Sequence, residues 1–534
     1  MNPNLIILFI VIPMATGIIT LALRGHLLLQ RLIGVSALTI NLALALITLI
    51  YSYSTDTILV TQMGDWPAPF GISIVVDSLS GLVLVAGAIV SLACYLHAFG
   101  TIDRDIEEGF FHPLWHLIMF GIQLSFITGD LFNLFVSFEI MLMASYALLT
   151  LGTTRKQITQ SYKYVMLNLL ASGVFVLGAG LIYSMTGTLN YADLARFVEE
   201  HRASGTPLPA AFNAVAVLLL MVFGCKAAIF PLWFWLPDTY YTCPTSIAAF
   251  FSGMLTKVGV YALARLYPMI FATPFVRHDG VTQQLLLIAA AFTMFLGVLG
   301  AVSMHNIRRI LAIHVISQVG YMIFGIALLT QDGIRGCMIY MVQHMVVKSS
   351  LFLCSGVVEK YRGTDDLNKL GGLAKQAPWL ATLFFIAAMS LVGLPPLSGF
   401  FGKYVVIKEG FLTGYWWLSM FGLLTGLLTL LSMLKIFGYA FWSPKPEAAP
   451  ASIRDKGVKN NPSIAFAYIG IVILVTSALF IGFGAQFVNG PAGRAGDIAT
   501  NPHRYIAAVL GEETWQRIEH PDNVEVASIE EVKH

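Results

Sequence analysis

Five lysines lie inside stretches of this sequence that are otherwise long and apolar enough to cross a lipid bilayer. They are Lys226, Lys257, Lys348, Lys403 and Lys435. A lysine near the middle of a membrane helix costs roughly 2.5–3.5 kcal/mol on insertion scales, so a protein keeps several only where their charges are compensated or used. A desolvated lysine can load and release a proton near neutral pH, which indicates proton transfer inside the membrane.

Glu139 is the only charged residue in the apolar stretch 131–142. An isolated carboxylate in hydrocarbon either takes up a proton or finds a cation, and Lys226 is its natural partner. Two interpretations stay open at this stage: a structural ion pair, or a pair whose charge switches in a proton path. Asp77 and Asp130 begin predicted helices, where capping is the simpler interpretation.

Lys257 has about twelve residues of predicted helix before it and ten after it, so it cannot easily reach either interface. His344 and Lys348 are four residues apart on one predicted helix and therefore share a face. His314 lies on the preceding helix. Histidine carries protons near neutral pH, although a single membrane histidine is equally well explained as a hydrogen-bonded packing residue.

Lys403 is the last member of this series. Lys435 lies near the end of its predicted helix, where snorkelling to the interface explains it adequately. Thr256 and Ser317 have hydroxyl groups that could bridge gaps between the ionisable residues, directly or through water.

The composition indicates that membrane helices position these residues. The chain has 534 residues, of which 57% are hydrophobic and 11% charged, against about 25% charged in soluble domains. The net charge of +2, without a basic run, gives no indication of nucleic-acid binding. The five cysteines form no C-x-x-C pair, so we predict no metal site and no disulfide framework. We also predict no cofactor, because the histidines do not form two haem-ligand pairs; those considered are His97, His116, His314 and His344.

Apolar runs near 20 residues predict an all-α polytopic membrane protein with about fourteen transmembrane helices. The runs cover approximately residues 4–23, 32–53, 71–97, 111–129, 131–152, 161–185, 211–236, 245–267, 284–304, 308–330, 335–358, 379–410, 412–441 and 463–489. The first run has no basic residue before it, unlike a secretory signal, so we expect it to be retained.

The distribution of basic residues predicts an orientation. If the N-terminus is external, loops on the cytoplasmic side hold 16 lysines and arginines, whereas loops on the other side hold 6. The positive-inside rule therefore predicts that both termini are external.

Prolines interrupt two of the predicted spans. They are Pro231 and Pro237 in the run 211–236, and Pro395 and Pro396 in the run 379–410. Proline removes a backbone donor and breaks or kinks a helix, and the freed groups must face protein or a water-filled cavity. Breaks at corresponding places in two halves indicate an internal repeat around an ion path, although prolines that merely kink helices are common. A lysine close to each break favours the repeat.

Together these motifs resemble the antiporter-like membrane subunits that respiratory complex I shares with the multisubunit Mrp cation/proton antiporters. The matching segments are Phe138-Glu139, Lys226, Leu236–Tyr240, Pro244, Ser252-Gly253, Thr256–Tyr261, Arg309–Leu311 with His314, Ser317–Tyr321, and Pro395–Lys403. The resemblance covers roughly residues 70–440. Residues 129–135 resemble the Mrp branch, and Lys403 argues against one complex I subunit that has glutamate there.

The resemblance implies two inverted five-helix repeats, each with a broken helix, and a line of charged residues along the membrane midplane. It also implies roles: Glu139 and Lys226 as the coupling pair, Lys257 as the central lysine, His344 and Lys348 as the linking relay, and Lys403 as the terminal lysine. The expected division is helices 1–3 in 1–110, repeats in 111–268 and 284–441, a cytoplasmic loop and last helix in 442–489, and a polar tail in 490–534.

The expected function is that of a proton-translocating subunit in a sodium/proton antiporter of the bacterial inner membrane. Such a subunit is a transporter component, not an enzyme, and works in the lipid bilayer with other membrane subunits. The alternative is a proton-pumping membrane subunit of a complex I-like NADH/quinone oxidoreductase. Protons are the expected ions and Na+ the expected counter-ion; whether this chain itself carries Na+ is left open, because intramembrane carboxylates are few.

Overall fold

A computed structural model of the protein describes residues 1–152, 154–271, 280–444 and 462–519. Within these ranges, twelve helices are long and apolar enough to cross a membrane. Two shorter apolar helices, Phe212–Ala227 and Pro378–Val392, are each followed by a break and a second helix. The predicted all-α, multi-pass membrane architecture is therefore confirmed, whereas the count of fourteen spans stays a prediction.

The N-terminal part consists of three long helices and a small hairpin. Its elements are α1 (Leu8–Ala22), α2 (Leu27–Thr55), β1 (Leu59–Gln62), β2 (Ser73–Val76), α3 (Ser78–Thr101) and the short α4 (Arg104–Ile106). The two strands pair antiparallel, with Leu59 opposite Val76. Asp77 caps α3 by accepting hydrogen bonds from the backbone N–H groups of Leu79 and Ser80, each at 3.0 Å.

Two runs of helices follow, and each contains four long helices with a broken helix in fourth place. The first run is α5 (His112–Ile127), α6 (Leu131–Thr150), α7 (Arg155–Thr186), the connecting helix α8 (Tyr191–Ser204), the broken pair α9 (Phe212–Ala227) and α10 (Leu236–Thr242), and α11 (Thr245–Leu266). The second is α12 (Val281–Ser303), α13 (Ile307–Ala327), α14 (Gln331–Arg362), the short α15 (Leu373–Gln376), the broken pair α16 (Pro378–Val392) and α17 (Ser398–Leu412), and α18 (Trp416–Phe437).

The helix breaks fall at three of the four predicted prolines. Pro231 lies between α9 and α10, and Pro395 and Pro396 lie between α16 and α17. The prediction was wrong for Pro237, which lies in the first turn of α10. Proline is tolerated there because the N–H group it lacks has no partner within the helix in any case.

The helices of the array lie at the centre of the molecule. Every residue of α11 is buried, and α13 and α14 are buried along almost their whole length. The outer helices α1, α2, α7 and α18 instead expose many large apolar side chains, as helices in contact with lipid do. The ionisable residues of α11 and α14 are therefore far from both lipid and bulk water.

The C-terminal part returns to the N-terminal helices. It comprises α19 (Pro462–Phe483), α20 (Ala485–Thr500), α21 (Pro502–Leu510) and α22 (Glu512–Glu519). α19 packs on α3 and α14, and α21 packs on α8. Arg494 and Arg504 both form ion pairs with Asp56, the residue that ends α2. The segments 445–461 and 520–534, which include most of the predicted cytoplasmic loop and the end of the tail, lie outside the described residues.

Candidate functional site: a buried array of lysines and histidines

Glu139 on α6 and Lys226 on the last turn of α9 are connected through a third side chain, Ser172 on α7. The Ser172 hydroxyl donates a hydrogen bond to Glu139 Oε1. Lys226 Nζ donates to Ser172 Oγ at 3.5 Å. Lys226 is only 3% exposed, whereas Glu139 is half-buried. Within the described ranges the two charged groups make no direct ion pair, so a hydroxyl mediates the predicted partnership.

Ser172 is the functional candidate that sequence reasoning missed at this position. α7 contains several serine and threonine residues, and most of them have ordinary helix environments. Only the packing of α7 beside α6 and α9 selects Ser172. A search for hydroxyls within reach of an intramembrane carboxylate requires that packing, which the sequence does not supply.

Lys257 is fully buried on α11 and bonds to its own helix. Its Nζ donates to the Ser252 carbonyl at 2.5 Å and to Thr256 Oγ1 at 3.1 Å. Thr256 is thus in contact with the central lysine, as its position next to it suggested. The ammonium group has a carbonyl and a hydroxyl as partners but no carboxylate among the described residues. Its positive charge is therefore only partly compensated.

Two glycines place α11 directly between the helices that carry the other lysines. A Cβ atom on Gly259 would lie 2.5 Å from Ala227 N and 2.9 Å from the carbonyl carbon of Lys226, on α9. A Cβ atom on Gly253 would lie 3.2 Å from the Met345 carbonyl oxygen on α14. Both positions need glycine because the neighbouring backbone leaves no room for a side chain. They flank Lys257 on either side along the helix.

His344 and Lys348, on α14, are the least satisfied members of the array. Both are fully buried, and neither ring nitrogen of His344 nor Lys348 Nζ has a hydrogen-bond partner among the described residues. Buried polar groups without partners are rare because each costs the full desolvation penalty, and they mark sites with a use. Lys257 interacts electrostatically with both residues, and His344 also interacts with Lys403.

His314 begins a hydrogen-bonded chain towards α14. Its Nε2 is 2.8 Å from Ser432 Oγ, and its Nδ1 is 3.2 Å from Ser317 Oγ. Gln318 Nε2 donates to Ser317 at 2.8 Å, and the Tyr340 hydroxyl donates to Gln318 Oε1. Ser317 thus bridges as expected. Its continuation through Tyr340 was not identified from the sequence.

Lys403 lies at the second helix break. Its Nζ donates to the Leu391 and Val392 carbonyls, the last of α16, at 3.0 Å and 2.9 Å. It also lies 4.8 Å from the centre of the Tyr321 ring and 5.7 Å from that of Tyr340. Helix C-terminal carbonyls carry partial negative charge, so they stabilise the ammonium group without a carboxylate. A cavity of about 490 Å³ reaches Lys403 from the side of α17 and α18.

Lys435 is separate from the array. Its Nζ donates to the Val302 and Met304 carbonyls at 3.0 Å and 2.8 Å, at the C-terminal end of α12. It therefore fastens α18 to α12. In the part of the chain that the structure describes, no group of three or more His, Cys, Asp or Glu residues could hold a metal ion.

The broken helices and the line of buried lysines define an antiporter-like membrane subunit. Comparison with known proteins agrees: the chain belongs to the family described as NADH:quinone oxidoreductase/Mrp antiporter, TM, which matches residues 128–429.

Its relatives over nearly the full length are D-type subunits. The D-type Na(+)/H(+) antiporter protein of Alkalihalophilus pseudofirmus is 43% identical, over 95% of this chain and 100% of that protein. Its counterpart of the same name in Bacillus subtilis is 38% identical over the same shares. A chain in the structure of the Mrp complex from a Dietzia species has a TM-score of 0.84 at 31% identity, covering 96% of this chain and 99% of that one. The resemblance suggested by the motifs is confirmed, including its leaning to the Mrp branch and to the D type.

Proposed function

We propose that this chain is the proton-translocating subunit of a multisubunit Na+/H+ antiporter, and that protons cross it along the buried array. The observation that carries the proposal is the placement of partly compensated or unpaired ionisable groups on five neighbouring helices of the core. These groups are Glu139, Lys226, Lys257, His344, Lys348 and Lys403, and they extend from one helix break to the other. The names of the relatives support the same function.

The mechanism rests on charge coupling between neighbours. A proton that arrives near Glu139 changes the charge balance at Lys226, with Ser172 as the bridge. That change biases Lys257, which lies across the Gly259 contact, and then His344 and Lys348. Two unit charges 4 Å apart interact by about 4 kcal/mol at an effective dielectric constant of 20, enough to move a proton from one group to the next. Lys403 releases the proton at the second break.

The repeats, the surroundings and the orientation belong to the same proposal. We place the repeats at 111–268 and 284–441 with inverted symmetry, in agreement with the two runs of helices that share one order. The chain lies in the bacterial cell membrane with both termini external, and it works with other membrane subunits, as the name of the Dietzia assembly supports. It is a transporter component and not an enzyme. Na+ crosses the complex in exchange for protons.

The proposal is tested by antiport in everted vesicles that contain the assembled complex. Glu139→Ala and Lys226→Ala should each abolish the sodium-dependent collapse of the proton gradient while the complex still assembles. Glu108→Gln is the matched control, because Glu108 is an exposed residue paired with Arg104 at the surface. Sodium-dependent antiport at the wild-type level in either array variant would contradict the mechanism.

The alternative, a complex I-like proton pump, is favoured only by the family description, which covers both kinds of assembly. Its membrane chemistry would be the same, with electron transfer in place of the sodium gradient. Purification of the native complex distinguishes the two. Flavin and iron–sulfur proteins in the preparation would support the alternative, and membrane subunits alone would support the antiporter.

A further inference from the structure

A second set of buried polar side chains lies outside the lysine array, along one face of α5 and at its N-terminal end. We call it the α5 row; its members are Glu107, His112, Tyr95, His116 and Gln123. All five are at most 2% exposed. None belongs to the array described above, and no role has been assigned to them.

The outer end of the row is an ion pair at the surface. Arg31 on α2 binds Glu107 with both ends of its guanidinium group, Nε to Oε1 at 2.7 Å and Nη2 to Oε2 at 2.6 Å. The Arg31 side chain is 30% exposed, so the pair lies where the protein meets water. Arg31 and Arg104 lie on the side that the basic residues predict to be cytoplasmic.

The row continues inward through histidine and tyrosine. His112 Nε2 is 3.5 Å from Glu107 Oε1, and His112 Nδ1 is 2.6 Å from the Tyr95 hydroxyl. The Tyr95 and His116 rings meet edge to face with centroids 5.6 Å apart. Gly34 on α2 makes room for the Tyr95 hydroxyl, because a Cβ atom there would overlap it. The sequence of groups is a carboxylate, an imidazole, a phenol and a second imidazole, all of which exchange protons.

The inner members have polar atoms that the protein does not satisfy. Neither ring nitrogen of His116 has a hydrogen-bond partner among the described residues, and Gln123 Oε1 also has none. Leaving such groups buried costs roughly 1–3 kcal/mol each, which a purely structural helix face would avoid. His112, His116 and Gln123 are spaced by four and seven residues and therefore share one face of α5.

Two contacts between α5 and α11 show how deep this face reaches. The Trp115 and Phe250 rings are 4.5 Å apart, and the Tyr261 hydroxyl donates to the Phe126 carbonyl at 2.6 Å. Both contacts join residues 135 apart in the chain, so the helices run parallel in a constant register. In that register Lys257 lies at the level of residue 122. The row therefore begins at the surface and ends at the depth of Lys257.

We propose that the α5 row is a proton-access path from the membrane face of Arg31 to Lys257. It rests on the proposed function and adds a second access point, on a different side of the first repeat from Glu139. Glu107 takes a proton from water and passes it to His112 Nε2, and His112 releases its Nδ1 proton to the Tyr95 oxygen as the phenol gives up its own. His116 receives that proton, and each group ends with as many protons as it began with. Water carries the proton over the roughly 10 Å of helix between His116 and Gln123.

The test is chemical rescue in everted vesicles that contain the assembled complex. Glu107→Ala and His116→Phe should each lower the initial rate of sodium-driven proton movement roughly tenfold, less than the loss of a fixed proton-transfer group because water substitutes in part. Added formate should restore the rate of Glu107→Ala in proportion to its concentration, since formic acid delivers the proton that the carboxylate relayed. Glu107→Asp should retain most of the rate.

The controls separate the path from the array. Glu108→Gln should turn over at the wild-type rate, and Lys257→Gln should not turn over with or without formate. Wild-type rates in both Glu107→Ala and His116→Phe would overturn the path and leave the proposed function standing if Lys257→Gln is still inactive. A slow Glu107→Ala that formate does not rescue would assign the row a structural role and also overturn the path. Full activity of Lys257→Gln would overturn the proposed function itself.

Discussion

The two helix breaks hold their lysines in different ways. At the first break, Lys226 is part of the last turn of α9 and reaches a carboxylate on another helix through Ser172. At the second, Lys403 comes from the helix after the break and binds the final carbonyls of the helix before it. One lysine depends on a partner that can itself gain or lose a proton. The other depends on a helix dipole of fixed sign.

The backbone at the two breaks differs in the same sense. α9 ends at Ala228 in the left-handed conformation, with φ of 58° and ψ of 52°, whereas α16 ends at Gly393 with φ of 94° and ψ of 39°. An L-residue with a side chain pays roughly 1–2 kcal/mol for that conformation, and glycine does not. Strain is thus stored beside the switchable lysine, and the break next to the fixed one is relaxed. The comparison teaches that the first break is built to change state and the second to discharge.

The largest expected effect is the loss of the counter-charge at the first break. Glu139→Gln keeps an acceptor for Ser172 but leaves Lys226 without a nearby negative charge, at a cost of roughly 1–3 kcal/mol. Lys403→Gln removes a charge that has no carboxylate partner and should cost about 1 kcal/mol or less. The purified complex should therefore unfold at a lower temperature with Glu139→Gln than with Lys403→Gln. Equal midpoints would erase the contrast between the breaks.

Exchange of the two left-handed residues is the next test. Gly393→Ala should destabilise the complex by about 1–2 kcal/mol, because alanine pays for the conformation and its Cβ atom would lie 3.1 Å from Lys403 Cδ. Ala228→Gly should be neutral within about 1 kcal/mol. Thermal unfolding of the two variants, with antiport measured beside it, checks the pair. A harmless Gly393→Ala would show that the second break is as adaptable as the first.

Removal of the bridging hydroxyl should have a smaller effect. Ser172→Ala breaks the link between Glu139 and Lys226 and should slow antiport roughly fivefold, the equivalent of about 1 kcal/mol for one hydrogen bond. Ser172→Thr keeps the hydroxyl and is the matched control. Equal rates in the two variants would show that the bridge has no part in the coupling.

The smallest effect should come from Lys435. Lys435→Gln keeps a donor for the Val302 and Met304 carbonyls and lies outside the array, so antiport should stay at the wild-type rate. A loss comparable to that of the array lysines would mean that this residue also carries protons. The comparison of the two breaks would then need a third lysine.

Much of this fold follows from the sequence alone, because lipid leaves few choices. Runs of apolar residues must become helices, and Pro231, Pro395 and Pro396 must interrupt them. The lysines identify themselves by the cost of their position. What escaped prediction depends on contacts between distant segments. Asp77 is a helix cap, as expected, but it also pairs at 2.5 Å with Arg265, 188 residues away.

The missed residues of the site share that cause. Ser172 and Tyr340 are ordinary in sequence and gain a role only where α7 meets α9 and where α14 meets α17. The C-terminal helices could not be anticipated either. Their polar composition resembles a solvated tail, yet Tyr505 is buried with its ring 5.4 Å from the Arg265 guanidinium group. Pro237 misled because a proline that begins a helix and one that breaks a helix look alike without the neighbouring chain.

The most direct test of the relay is Lys257→Gln, measured as sodium-dependent proton movement by the assembled complex in vesicles. Glutamine keeps a hydrogen-bond donor for the Ser252 carbonyl and Thr256 hydroxyl but cannot gain or lose a proton in this pH range. We predict a complex that assembles normally and shows no antiport, since Lys257 is the link between the two breaks. Antiport at the wild-type rate in that assembled variant would contradict the account.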